Sequence, residues 1–376
     1  MRTKSTPKDS AGMTKAKAGA STSIDGKIKA LDELFAHAGL KRGLRGKAGA
    51  RPLGFRPDRE SPEDLNRPAL PPTKAKNGVQ WLPVPGWDQI EWLRAGFSTR
   101  LGGKSRAYCA DDAPGELNLG FTADDPRKNV AANRRLFAAA VTGSAATPLV
   151  GLRQIHSSLL HRATAADAER EQPWKADGIF TDRPGLLVGV QTADCIPVLV
   201  ADRKKKIVAA FHAGWRGTVK RIVENGIGRL RLEFGSRPED LVAVIGPGIG
   251  PCCYAVGEEV RLEFESQFAY APELFHEVYD SDPIRTKYPM LFLTQRAPGH
   301  SPIGPSLHLD LIEANRRQLL DVGLSASAIT VMGGCTQCRT DLFFSYRASQ
   351  GHAGRMMAAI GIAPAPVKKP VARKKD

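Results

Sequence analysis

Two neighbouring apolar runs constrain the fold of this chain more than any other feature. Residues 195–202 (CIPVLVAD) and 207–214 (IVAAFHAG) are separated by the basic stretch RKKK. Runs this rich in Val, Ile and Ala predict strands that are buried on both faces, and the short connection predicts an antiparallel hairpin. A four-residue turn places residue 197 opposite residue 212. Since side chains alternate along a strand, Cys195 and His212 then share one face, with Cα atoms roughly 7–8 Å apart.

A thiol and an imidazole on one face allow two interpretations. Zinc binds thiolate sulfur at about 2.3 Å and imidazole nitrogen at about 2.0 Å, so the pair could share a metal ion if a third ligand lies nearby. Alternatively, Cys195 is a small buried side chain and His212 is a hydrogen-bonded core imidazole. His156 is the leading third candidate because polar residues surround it, whereas His161 and His308 have mainly apolar neighbours. The hairpin register alone leaves both interpretations open.

The rest of the chain alternates apolar strands with amphipathic helices. Apolar residues at helical spacing predict a helix over residues 218–234, with Thr218 as its N-terminal cap and Gly235 at its end. Further strands are predicted at residues 95–100, 186–193, 241–246, 329–334 and 356–362, and further helices at 125–141, 256–269 and 309–323. This order predicts a mixed α/β fold with layered sheets, in a single catalytic domain over residues 78–362.

Basic residues are concentrated at the two ends of the chain. The formal net charge is +15, of which +9 lies in residues 1–77 and +4 in residues 363–376. Both segments are also rich in Pro, Ala and Gly, which predicts a disordered N-terminal extension and a disordered C-terminal tail, with one helical stretch at residues 24–40. Basic arms attract phosphate without sequence specificity, so weak contact with nucleic acid is the alternative role for these tails.

The cysteines are expected to be reduced. The first twenty residues lack the apolar block of a secretory signal, and no apolar run is long enough for a membrane span, so we expect a cytoplasmic protein. Reduced thiols are available for a metal ion or for catalysis. Cys335 and Cys338 form a Cys-x-x-Cys pair, which is half of a zinc knuckle, but Cys252 and Cys253 are adjacent and do not form a second such pair. We therefore expect no structural zinc at these cysteines.

Five separate motifs resemble those of the YfiH-type family, also called laccase-domain or polyphenol-oxidase-like proteins. They are RQIHS at 153–157, TADCIPVL at 192–199, HAGWRG at 212–217, GPGIGPCCYAVGEEV at 246–260, and CT at 335–336 followed by FFSYR at 343–347. The resemblance spans about residues 95–362 and implies a four-layer α/β/β/α fold with mixed sheets. It also implies that His156, Cys195 and His212 bind a metal ion, zinc. Cys338 departs from the family pattern, in which only the first cysteine of its pair is typical.

The activity that this resemblance implies is zinc-dependent chemistry on purine nucleosides: phosphorolysis of adenosine, inosine and methylthioadenosine, with deamination of adenosine as a side activity. Zinc with an open position lowers the pKa of water towards about 7, which suits deamination. Phosphorolysis needs donors for phosphate, and Arg100, Arg216 and Arg347 are candidates because a guanidinium matches phosphate geometry. Each could equally be a surface ion-pair partner. The glycines of residues 246–250 could approach an anion, but a tight turn explains them equally well.

Three other functions remain open from the sequence. The family name implies copper oxidation, but a multicopper site uses about ten histidines, many in His-x-His pairs, whereas this chain has eight histidines and no such pair. A single Cys/His₂ site could still take up copper. A hydrolase with Cys195 as nucleophile and His212 as base, acting on an amide in cell-wall or nucleotide metabolism, would need no metal. A nucleic-acid-binding module would depend on residues 1–77, which an enzyme could lose.

Overall fold

Two six-stranded sheets form the centre of the described structure, a computed structural model that covers residues 70–109, 113–278 and 306–364. In chain order the strands of these residues are β1 (Thr73–Lys74), β2 (Gln80–Pro83), β3 (Leu93–Ser98), β4 (Leu101–Ser105), β5 (Leu149–Val150), β6 (Leu160–Arg162), β7 (Gly178–Thr181), β8 (Leu187–Thr192), β9 (Ile196–Asp202), β10 (Ile207–Ala213), β11 (Leu241–Ile245), β12 (Phe275–Val278), β13 (Ser306–Leu309), β14 (Ile329–Val331) and β15 (Met356–Ile362). The helices are α1 (Arg127–Thr142), α2 (Trp215–Val219), α3 (Ile222–Phe234), α4 (Glu258–Gln267) and α5 (Leu311–Asp321).

Both sheets are mixed. The first has the strand order β1-β2-β3-β15-β8-β5, and the second has the order β14-β11-β9-β10-β7-β6. Neighbouring strands run antiparallel apart from three parallel pairs at the sheet edges. In the first sheet β5 pairs with β8, and in the second β6 pairs with β7 and β11 with β14. Strands β12 and β13 form a separate antiparallel pair.

The predicted hairpin register is confirmed in the second sheet, where His212 of β10 pairs with Pro197 of β9. Both faces of β9 are buried, as its unbroken apolar sequence predicts. Leu199 packs into the core between the two sheets. Val200, its neighbour along the strand, packs into the core on the other face, together with residues of the helices.

Helices cover the outer face of each sheet, so the predicted four-layer α/β/β/α arrangement is confirmed. Phe137 of α1 packs with Met357 on the outer face of the first sheet. Leu230 of α3 and Leu319 of α5 pack on the outer face of the second. The inner faces meet in a separate core that includes Phe97. Each sheet therefore has one face against a sheet and one against helices.

One predicted helix differs from the structure. Residues 218–234 do not form a single helix, because Arg221 adopts a left-handed conformation with φ 57° and separates α2 from α3. Thr218 is consequently not an N-terminal cap. Its hydroxyl instead accepts a hydrogen bond from Asn315 Nδ2 at 3.1 Å, which joins α2 to α5. The other predicted helices and strands lie within three residues of the observed bounds.

The described structure continues across the predicted boundary at residue 78, because Thr73 of β1 pairs with Trp81 of β2. The domain bounds of 78–362 stay a prediction. The helix predicted at residues 24–40 and most of both predicted tails lie outside the described residues. Among the helices of the described ranges, none combines the length and the apolar character needed to cross a membrane.

Candidate active site

Three side chains from distant parts of the sequence meet at one edge of the second sheet. Cys195 directly precedes β9, His212 lies near the end of β10, and His156 lies in the loop before β6. Strands β9 and β10 are antiparallel, so the start of one lies beside the end of the other. The fold therefore brings the three predicted metal ligands together.

The geometry of this cluster suits a metal ion. The ligand atoms of His156, Cys195 and His212 all lie within 4.8 Å of one another. Cys195 Sγ is 3.9 Å from His156 Nε2, and the two imidazole rings are 5.0 Å apart with their planes at 72°. His212 is buried and His156 is exposed, so the cluster is open on the side of His156. One thiolate and two imidazoles are a ligand set that zinc and copper both accept.

Asp177 orients both histidines. His212 Nδ1 donates to Asp177 Oδ1 at 2.9 Å, which leaves Nε2 as the nitrogen available to a metal ion. The backbone N–H groups of Ile155, His156 and Ser157 also donate to this carboxylate, at 3.2, 3.0 and 2.7 Å. Burial would raise the pKa of Asp177, but the hydrogen bonds from His212 and Ser157 hold it far below its usual range. The carboxylate is therefore ionised and fixed.

Cys195 and His212 stabilise each other's charged forms. Burial would raise the pKa of Cys195, but the positive charge of His212 and a hydrogen bond with His156 lower it to about 6. Burial would likewise lower the pKa of His212, but the Cys195 thiolate and Asp177 raise it to about 9. A thiolate is both the form of cysteine that binds metals and the form that acts as a nucleophile. Metal binding at this site requires His212 to lose its proton.

Two residues of the site have left-handed backbones, with φ 56° at His156 and φ 91° at Asp194. Such conformations cost about 1–3 kcal/mol each for residues other than glycine, so the surrounding structure must hold them. Asp194 is held by three bonds: its carbonyl accepts from Ile249 N at 2.7 Å, and its carboxylate accepts from Thr336 Oγ1 at 2.6 Å and from Arg347 N at 2.7 Å. The residue before Cys195 is thereby fixed.

The cluster lies in the wall of a cavity of about 1210 Å³. Seven arginines are among the described residues that line it: Arg127, Arg134, Arg135, Arg153, Arg170, Arg347 and Arg355. The guanidinium groups of Arg127 and Arg134 lie 4.6 and 4.4 Å from the centre of the Phe121 ring, which is 43% exposed. The lining also contains four carboxylates, those of Asp167, Glu169, Glu171 and Asp194. The arginines outnumber them, so the cavity suits a ligand with an anionic part.

Of the three arginines predicted to bind phosphate, Arg347 is the one that lines this cavity. Arg100 is not among the lining residues, and its Nε donates to Glu116 Oε1 at 2.7 Å. Arg216 is exposed outside the lining, with its guanidinium 4.4 Å from the centre of the Trp215 ring. The role of all three in phosphate binding stays a prediction.

The two histidines that the sequence ranked below His156 lie elsewhere. His161 stacks on Trp174 with ring centres 5.1 Å apart, and His308 Nδ1 lies 2.6 Å from the carbonyl oxygen of Pro251. Neither belongs to the cluster of one cysteine and two histidines.

Sequence reasoning missed two residues of the site, Asp177 and Gly214. A Cβ atom added to Gly214 would lie 2.8 Å from Cys195 Sγ and 3.3 Å from His156 Cδ2, so the glycine leaves room for the cluster. Asp177 belongs to none of the quoted motifs. Its position directly before β7 is the signal that could have found it, because β7 begins at the same sheet edge where β10 ends.

Comparison with known proteins assigns the family. Residues 94–363 match the family described as multi-copper polyphenol oxidoreductase laccase. The chain belongs to this family. Its laccase-like members include the YfiH-type proteins.

The YfiH-type relatives carry a different activity in their names. The chain is 35% identical over 298 residues to a purine nucleoside phosphorylase of Deinococcus radiodurans, covering 79% of this chain and 95% of that protein. It is 33% identical to the purine nucleoside phosphorylase YfiH of Escherichia coli, covering 74% of this chain and 98% of that protein. The crystal structure of YlmD from Geobacillus stearothermophilus matches with a TM-score of 0.61 at 30% identity, covering 79% of this chain and 100% of that chain.

Proposed function

We propose that this chain is a zinc-dependent purine nucleoside phosphorylase that acts on adenosine, inosine and methylthioadenosine and deaminates adenosine as a side activity. The observation that carries the proposal is the cluster of His156, Cys195 and His212 in the wall of an arginine-lined cavity. Relatives that match most of the chain are named purine nucleoside phosphorylases. His156, Cys195 and His212 would hold the zinc ion, and the space beside Gly214 fits this role.

The chain's own residues prepare the site for zinc in two ways. When bound, zinc supplies Lewis-acid polarisation at the cavity wall. Asp177 keeps His212 in the orientation that presents Nε2 to the cluster. Cys195 is readily available as a thiolate because its pKa is lowered to about 6, mainly by His212 against the effect of burial. Ligands held in place before substrate arrives need no rearrangement during the reaction.

Phosphorolysis also requires that phosphate be held against the ribose. Positive charge develops on the sugar as the bond to the base breaks, and the phosphate oxygen forms the new bond to the same carbon. The arginines of the cavity wall, including Arg347, would neutralise the phosphate and hold it there. Burial lowers the pKa of Arg134 to about 10, so this guanidinium is still charged at neutral pH.

The test is release of free base from inosine and adenosine, with and without phosphate. We expect base together with ribose 1-phosphate only when phosphate is supplied, whereas ammonia release from adenosine should not need phosphate. Metal analysis of the same preparation should find zinc rather than copper. Base release at full rate in phosphate-free buffer would instead make the protein a nucleoside hydrolase.

The three predicted arginines can be ranked in the same assay. If Arg347 binds phosphate, Arg347→Ala should raise the KM for phosphate by about tenfold or more, since each lost charge-assisted hydrogen bond is worth about 1.5–3 kcal/mol. Arg100→Ala and Arg216→Ala are the matched controls outside the cavity lining. A larger phosphate effect in either control would move phosphate binding away from Arg347.

A cysteine hydrolase is the second candidate function, because the lowered pKa of Cys195 also suits a nucleophile. In that mechanism His212→Ala would leave any bound metal in place, and removal of metal would not matter. The zinc proposal predicts that wild-type protein stripped of metal loses nucleoside cleavage and regains it on addition of zinc. Full turnover by the stripped protein would favour the Cys–His hydrolase.

A further inference from the structure

Four cysteines outside the candidate active site also meet at the edge of the second sheet. Cys252 and Cys253 lie in the loop that follows β11, and Cys335 and Cys338 lie in the loop that follows β14. Strands β11 and β14 are parallel neighbours, so their carboxyl ends leave the sheet at the same edge. An isolated bridge between Gly248 and Cys335 continues the pairing beyond the strands. The topology therefore brings two cysteine pairs from distant parts of the sequence together.

The spacing of the four sulfur atoms fits one metal ion. All four Sγ atoms lie within 4.8 Å of one another. Cys338 Sγ is 3.5 Å from Cys252 Sγ and 3.4 Å from Cys253 Sγ. Sulfurs arranged tetrahedrally at about 2.3 Å from zinc are about 3.8 Å apart, whereas the sulfurs of a disulfide are about 2.05 Å apart. All four thiols are free in the structure.

Backbone hydrogen bonds surround the four cysteines in the way that is typical of metal-binding thiolates. The N–H of Gly250 donates to Cys335 Sγ at 3.3 Å, and donors of this kind stabilise metal-binding sulfur. The N–H of Tyr254 donates to the Gly250 carbonyl at 3.0 Å, and the N–H of Arg339 donates to the Cys335 carbonyl at 3.0 Å. Each cysteine pair therefore sits in a closed turn. Cys252 and Cys335 are 6% and 2% exposed.

None of the four cysteines is among the residues that line the cavity. A metal ion held by four protein ligands has no position left for substrate, which is the arrangement of structural zinc sites. Four sulfurs in tetrahedral spacing select zinc or iron over the hard cations. The cluster is thus suited to bind a metal but not to act on a nucleoside.

We propose that Cys252, Cys253, Cys335 and Cys338 bind a second, structural zinc ion. The sequence has no second Cys-x-x-Cys pair, and the adjacent residues Cys252 and Cys253 take its place in this cluster. The zinc would join the loops after β11 and β14. Both loops hold Asp194, through Ile249 N and Thr336 Oγ1, so the ion would stabilise the segment that leads into Cys195.

Zinc content of the purified full-length protein tests the proposal. We expect about two zinc ions per wild-type chain, and about one in both Cys338→Ser and Cys195→Ala. Cys338 is the exposed member of the cluster, so its replacement disturbs packing least. Cys109→Ser is the matched control, because Cys109 is a free thiol outside both clusters and its loss should leave both ions bound. About one zinc ion in both the wild type and Cys338→Ser would overturn the second site. Zinc loss restricted to Cys195→Ala would likewise overturn the second site while leaving the proposed active-site zinc intact.

Cobalt substitution provides a test that leaves the four cysteines of this cluster unchanged. Co²⁺ in a site of four thiolates gives strong sulfur charge-transfer absorption and intense tetrahedral d–d bands, distinct from those of a site with one thiolate and two imidazoles. We expect both signatures in the wild type and the four-thiolate signature alone in Cys195→Ala. Iron in place of zinc, or a disulfide between any two of the four cysteines in protein alkylated and digested without reductant, would contradict the proposal.

Discussion

The two sulfur-containing clusters lie at the same sheet edge but differ in ligand set and surroundings. The cluster of His156, Cys195 and His212 has one sulfur and lies in the cavity wall. The four-cysteine cluster has four sulfurs and none of its members lines the cavity. Three protein ligands leave a coordination position for a substrate, whereas four close the site. The difference teaches that two clusters at one sheet edge can offer ligand sets of the two kinds that generally distinguish catalytic from structural metal sites.

The largest expected effect compares one cysteine from each cluster. Cys195→Ala should lower kcat/KM for inosine by more than about 100-fold. Loss of a group that only supports a metal ligand costs about 10–100-fold, and loss of the ligand itself should cost more. Cys338→Ser should retain most of its kcat at a temperature where it is folded, while its Tm falls by roughly 5 °C or more. Steady-state kinetics and thermal unfolding measure the two effects. A folded Cys338→Ser protein as inactive as Cys195→Ala would end the distinction between the clusters.

The next effect concerns the carboxylate that only the first cluster possesses. Asp177→Asn removes the charge that orients His212, so zinc affinity and kcat/KM should each fall by about 10–100-fold. Ser157→Ala is the graded control, because it removes only one donor to Asp177, the hydroxyl at 2.7 Å. Competition with a chelator measures the affinity. Equal effects of the two substitutions would show that the charge of Asp177 is not what matters.

A smaller effect should follow from added volume beside Cys195. Gly214→Ala places a methyl group 2.8 Å from Cys195 Sγ, which should reduce zinc affinity by about tenfold through displaced ligands. Gly228→Ala is the matched control, since nothing lies within 4 Å of its added Cβ and the residue lies inside α3. That control should raise the free energy of unfolding by up to about 1 kcal/mol. Unchanged zinc affinity in Gly214→Ala would mean that the cluster can shift to make room.

The smallest expected effect concerns Asp167, which lines the cavity and belongs to neither cluster. Burial would raise the pKa of Asp167, but hydrogen bonds from Thr164 and Trp174 lower it to about 2. A carboxyl group whose pKa is lowered on folding stabilises the protein above its unfolded pKa, about 4, and this contribution is lost as pH falls through 2. Asp167→Asn should therefore cost about 1 kcal/mol at pH 7, after allowance for solvent screening, and little near pH 2.

Denaturant unfolding of Asp167→Asn and the wild type at several pH values checks this sign. The difference in the free energy of unfolding should shrink between about pH 4 and pH 2. A difference that stays constant over this range would assign the loss to packing rather than to the charge of Asp167.

The sequence predicted the parts of the site that depend on local pairing. Cys195 and His212 belong to one hairpin, and a four-residue turn, which the sequence analysis assumed, sets its register. Their identification as metal ligands, and the choice of His156 as the third, came from the motif resemblance. The layered α/β fold likewise followed from the alternation of apolar strands and amphipathic helices.

The missed features depend on the order of strands in the sheet. Asp177 reaches His212 because β7 lies beside β10, and the cysteine pairs meet because β11 lies beside β14. Periodicity reports which residues are buried, but it does not report which strands are neighbours. Arg100 illustrates another difficulty, because a guanidinium suits both phosphate and a carboxylate, and the sequence did not indicate the hydrogen bond of Arg100 with Glu116.

The turn between β9 and β10 lies at the opposite end of these strands from both clusters, because the strands are antiparallel. Residues 203–206 are all exposed, and the preceding Asp202 accepts hydrogen bonds from the N–H groups of Lys204 and Lys205 at 2.9 and 2.8 Å. Exposed turns between well-packed strands tolerate inserted segments. This turn is consequently a natural place to tether the protein to a solid support, with the cavity and both cysteine-bearing loops facing away from the surface.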